Sequence, residues 1–125
     1  MRIKVTANYP PEAVRQLIRF AASQVDGLKR DGLTIWVKNS SHPYRGFAYP
    51  NGHTTIGIGK PQWFPILGDK RRGLILSDWR ETVVMLAAHE LAHQRSHQDG
   101  KHKGESPANW YGWFAVMQYR QSLRQ

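Results

Sequence analysis

Two histidines and a glutamate stand out by their spacing: His89-Glu90-Leu91-Ala92-His93 is an H-E-x-x-H pentapeptide. On a helix, residues four apart lie one turn up the same face, so both imidazoles can reach one divalent ion. This predicts a site for one Zn²⁺ per chain. Glu90 is offset by one position and points beside such an ion rather than at it. There it can take a proton from a water that zinc activates at neutral pH, then return it to a leaving amine as general base turned acid. The implied chemistry is hydrolysis at a carbonyl.

Composition narrows the donors further. The 125 residues contain no Cys, which excludes disulfides, a cysteine nucleophile and Cys-type zinc or iron–sulfur sites. Any metal must be held by His, Asp or Glu. Hydrophobic residues are 40% and charged residues 22% of the chain, proportions of a globular domain rather than a disordered one. The length suits one domain over residues 1–125. The longest apolar run, Thr82–Ala88, is far too short to span a bilayer, and the first residues lack the apolar stretch of a signal peptide. The expectation is a cytoplasmic protein with no membrane partner.

The elements that must position the pentapeptide follow from periodicity. Tyr9-Pro10-Pro11-Glu12 opens a helix, with Val14, Leu17, Ile18, Ala21, Ala22 and Val25 on one face and Gly27 ending the run. From Leu33 the period becomes two, with Leu33, Ile35 and Val37 pointing one way. Two short strands follow, Arg45–Tyr49 and His53–Ile58, joined by the turn Pro50-Asn51-Gly52. Residues 59–73 read as irregular. A helix from about Trp79 to His97, started by Asp78 and Glu81 at capping-box spacing, carries the pentapeptide after an apolar segment that calls for burial. The last helix places Trp110, Trp113, Phe114 and Met117 at core spacing. The fold class is a small α+β domain: N-terminal helix, about three strands, the H-E-x-x-H helix and a C-terminal helix.

His89-Glu90-Leu91-Ala92-His93 resembles the zincin metallopeptidases, and the order of elements is similar to their minimal catalytic core. The resemblance implies a zinc-dependent hydrolase of peptide bonds, acting on protein or peptide substrates, with Glu90 catalytic and His89 and His93 on the metal. It also implies a third ligand. Glu105-Ser106-Pro107-Ala108-Asn109-Trp110-Tyr111 is similar to the segment of ImmA/IrrE-type gluzincins in which a Glu completes the site, which points to Glu105. Pro107 is compatible if Gly104 caps the helix and Glu105 is its first residue. The alternative is His102, because Asp99-Gly100-Lys101-His102 resembles the turn that supplies a third His in SprT-like proteases. Asp99 and His97 are weaker candidates.

Attack on a carbonyl develops negative charge, for which Tyr111 and Tyr49 are candidate oxyanion stabilisers. Asn109 is a candidate for orienting a ligating His. Zincins bind peptide along a sheet edge, here 45–49 or 53–58. Lys and Arg number 18 against nine Asp and Glu, a net charge of +9 that favours acidic partners. Nucleic acid on a basic surface is therefore a further expected partner, with 70–72 and Lys101/Lys103 as basic clusters. The alternative function is a basic nucleic-acid-associated module, either processing DNA-bound protein or binding zinc and DNA without catalysis.

Overall fold

The computed structural model describes residues 1–101 and 104–125. Helix α1 (Pro11–Ser23) starts where Pro11 occupies the first turn and turns Val14, Leu17, Ile18, Ala21 and Ala22 inward. Strands β1 (Arg2–Val5), β2 (Thr34–Asn39), β3 (Tyr44–Ala48) and β4 (His53–Ile58) form one sheet in the order β1-β2-β4-β3. The β1–β2 and β2–β4 pairs are parallel and β3–β4 is antiparallel. The expected α+β class therefore holds, but the sheet has four strands rather than three. β1 escapes sequence reading because four alternating residues carry too little pattern to mark a strand. A second correction falls in 59–73, where β5 (Ile66–Asp69) pairs with β6 (Leu74–Leu76) as a separate two-stranded sheet.

Helix α2 (Trp79–Gln98) is capped by Asp78, whose side chain accepts from the Arg80 and Glu81 amides. Glu81 reaches back to the Ser77 amide, one residue before the cap. Residues Val83–Ala88 are buried on all sides, between α1, the sheet and helix α3 (Glu105–Ser122). No described helix is long and apolar enough to cross a membrane. One face of the four-stranded sheet is uncovered among the described residues, and Arg2, Lys4, Lys38, Arg45 and Phe47 on it are exposed.

The face of α3 that packs is not the aromatic stripe expected from spacing. Ala108, Gly112, Ala115 and Val116 are buried, whereas Trp110 is 40% exposed and stacks on Phe114 at 4.9 Å outside the core. Trp113 and Met117 only border the core. The reason is close approach: a Cβ on Gly112 would stand 3.1 Å from both the Met85 carbonyl oxygen and its Cγ, so only small residues fit this seam. At the far end Arg120 Nε and an Arg120 terminal nitrogen donate to the two Glu81 oxygens at 2.8 and 2.7 Å. This fork pins the last turn of α3 to the first turn of α2.

Candidate metal centre

Antiparallel packing of α3 on α2 carries its N-terminus back toward the middle of α2. Gly104, with φ +76°, caps α3, and Glu105 is its first residue, as Pro107 required. Glu105 lies seven residues before Gly112, two turns along the face that touches α2. Its Oε2 consequently reaches 3.2 Å from His89 Nε2 and 2.9 Å from His93 Nε2. His89, Glu90 and His93 each offer a donor atom within 4.8 Å of one another, a group that could hold a metal ion.

The Glu105-to-histidine separations are hydrogen-bond distances, and they bring one carboxylate oxygen and both ring nitrogens, all of them metal-ligand atoms, to one point. The protonation states also suit ligation. Burial and the neighbouring His93 lower the His89 pKa against the opposite pulls of Glu105 and Asn109, so the ring is held in its neutral, metal-binding form. Burial alone would raise the Glu105 carboxyl, but hydrogen bonds and charge from His93 and His89 bring it below the ordinary value.

Glu90 has a different environment. It is 5% exposed, packed on the inner side of β3, and burial together with the Glu105 charge raises its pKa to about 7. A carboxyl at that value can both accept and return a proton near neutrality. Beside it lies a cleft of about 240 Å³ walled by Tyr44, Gly46, Met85, His89, Glu90 and Gly112. Asp69 and Asn109 also line it.

Tyr111 and Tyr49 lie elsewhere. The Tyr111 hydroxyl accepts from an Arg95 terminal nitrogen at 2.9 Å, and the same nitrogen donates to the Asp26 carbonyl. Tyr49 follows β3 on the uncovered side of the sheet, its ring 4.6 Å from Phe47 and 6.0 Å from His53. Asp99 caps the C-terminus of α2. His102 lies outside the described residues.

Three positioning residues escape sequence reading. Gly46 faces Glu90 across the sheet–helix interface. Gln94, 1% exposed and one turn beyond Glu90, points the two hydrogens of its Nε2 at three acceptors that share them, Tyr49 O, His53 O and Thr54 Oγ1, each at 3.0 Å. It ties α2 to the β3–β4 turn. Tyr44 donates its hydroxyl to the Leu67 and Gly68 carbonyls at 3.4 and 3.3 Å, closing the cleft against β5. A buried glutamine four residues after a buried glutamate was the one available clue, since both must share a face.

No protein-family model, curated protein or solved structure matches this chain.

Proposed function

We propose that this protein is a small zinc-dependent metallopeptidase of zincin type, with His89, His93 and Glu105 as the metal-holding residues and Glu90 as general base and acid. The observation that carries the reading is the convergence of the Glu105 carboxylate on both imidazoles, at 3.2 and 2.9 Å, beside a buried carboxyl raised to about 7. Two imidazoles and one carboxylate are a donor set used by catalytic zinc sites, which keep a fourth position for water or substrate. When bound, zinc would supply Lewis acidity and bring the pKa of a water to about 7.

The chain's own residues supply the rest. Glu90, shielded from solvent under β3, takes a proton from the water that attacks the carbonyl carbon and delivers it to the amine nitrogen as the C–N bond breaks. Because β3 ends the β1-β2-β4-β3 order, its outer edge has no strand partner among the described residues. An extended peptide can add there through main-chain hydrogen bonds, which brings a scissile carbonyl over Gly46 and Glu90. The cleft of about 240 Å³ next to His89 and Glu90 receives an adjoining side chain. Its mixed lining, with Met85 and Gly112 on one wall and Asp69 and Asn109 on another, fits a medium-sized residue.

The test is metal analysis together with hydrolysis of an unstructured protein such as casein. Wild type should purify with about one zinc per chain. Glu90→Gln should keep the zinc and lose about 10²–10⁴-fold in rate. An unchanged rate in Glu90→Gln would falsify the mechanism.

A further inference from the structure

The uncovered face of the four-stranded sheet carries a pattern that the metal centre does not use. Strand register places Lys4, Trp36, Thr55 and Phe47 in one row across the four strands. The next row holds Lys38, Gly57 and Arg45. Tyr49 extends the face beside His53, and Arg2 stands at the same end on β1. None of the nine acidic side chains lies on these positions. The face is therefore uniformly cationic, whereas loop residue Arg72 is already paired with Asp69 at 2.9 Å.

Its apolar surface is aromatic rather than aliphatic. Phe47 is 55% and Tyr49 43% exposed, with rings 4.6 Å apart. The Trp36 indole is fixed by a 2.8 Å bond from Nε1 to Thr6 Oγ1. Two ammonium groups, Lys4 and Lys38, sit 4.9 and 5.0 Å from its ring centroid. Between the rings and the Ser40–Ser41 turn runs a groove of about 460 Å³ bordered by Lys38 and Arg45.

We propose that this face binds single-stranded nucleic acid, its phosphates held by Lys4, Lys38 and Arg45 and its bases stacked on Trp36, Phe47 and Tyr49. Rings interleaved with cations on a flat sheet match the two chemistries of a polynucleotide, whose bases offer π-faces and whose backbone offers regular negative charge. The spacing selects a single strand. Phe47 and Trp36 both pair with Thr55 from opposite sides, so they stand two strand spacings, about 10 Å, apart. Bases must splay to reach both rings, which a loose strand does and a duplex resists. The site is independent of the metal centre, because α2 packs on the opposite face of the sheet.

The test is fluorescence anisotropy of the whole protein with labelled DNA and RNA strands of about 16 nucleotides, and with the corresponding DNA duplex. Either single strand should bind at least about tenfold tighter than duplex, and affinity should fall steeply between about 50 and 200 mM salt. The tighter of the two single strands assigns the sugar. Lys38→Glu/Arg45→Glu, both on the surface, should weaken binding by about tenfold or more. Phe47→Ala/Tyr49→Ala should weaken single-strand binding by about tenfold, while Lys70→Glu/Arg71→Glu should leave it within about twofold. Circular dichroism and zinc content unchanged in all three confirm intact folds. Equal loss in the loop variant, tighter binding to duplex, or binding only to phosphatidylserine vesicles would each overturn the proposal.

Discussion

Glu90 lies so close beneath Gly46 that a methyl group on that residue would stand 2.5 Å from Glu90 Oε2 and 3.0 Å from its Cγ. Leu86 Cδ1, also 3.0 Å from that position, blocks the adjacent escape. Gly46→Ala should therefore displace the carboxylate without touching His89 or His93. A misplacement of about 1 Å costs on the order of 10²-fold in rate. Steady-state hydrolysis and zinc content measured together check this: activity falls and the metal stays. Full activity would mean that Glu90 position does not set the rate.

Removing Glu105 separates the two candidates for the third metal-holding residue. Glu105 Oε2 touches both imidazoles, so Glu105→Ala should weaken zinc binding by more than the 10–100-fold, roughly, that is typical of residues that only orient a ligand. His102→Ala should leave affinity within about threefold. Competition titration with a chromophoric chelator reads both variants. The reverse ranking would transfer the ligand role to His102.

The Glu81–Arg120 fork gives stability a defined pH dependence. Although burial acts to raise it, hydrogen bonds and charge from Arg120 and the Ser77 amide lower the Glu81 pKa below its ordinary value. A group depressed on folding stabilises the protein fully above its unfolded pKa of about 4.3, and that contribution is lost as pH falls through the folded value. Glu81→Gln should cost about 2 kcal/mol at pH 7, less than a fully buried pair because Arg120 is 30% exposed. The difference from wild type should shrink in urea melts taken at pH 3. A constant difference would show that packing, not charge, carries the effect.

Gln94 holds the β3–β4 turn in register over the site. Gln94→Ala strands the buried Thr54 hydroxyl, which costs about 1–3 kcal/mol, whereas the Tyr49 and His53 carbonyls keep the Gly52 and Tyr49 amides as donors. Hydrogen exchange should show faster amide exchange in 49–54 than in α1. Uniform acceleration across the chain would mean that the loss is global rather than at the turn.

What could be read along the chain was whatever one element contains by itself. The pentapeptide His89–His93 brings its donor atoms together through a spacing of four on one helix, so a group that could hold a metal ion was visible without any fold. The same holds for α1, α2, the inward face of β2, the span of β4, and the Gly104–Glu105 start of α3. Strand β1 was invisible because its identity comes from pairing with residues 34–37, more than thirty positions away.

The site around the motif was decided by tertiary structure. Aromatic spacing on α3 pointed to the wrong face, because hydrophobic size predicts burial only where room exists. Gly112 against Met85 allows only small residues, and that seam rotates Glu105 onto the two histidines. Glu90 under Gly46 and Gln94 under the hairpin likewise depend on contacts more than forty residues apart. The sequence by itself determined which groups could hold a metal and move a proton. Close packing of α3 and β3 on α2, a property of three surfaces meeting, decided which carboxylate faces the histidines and which one is buried beside them.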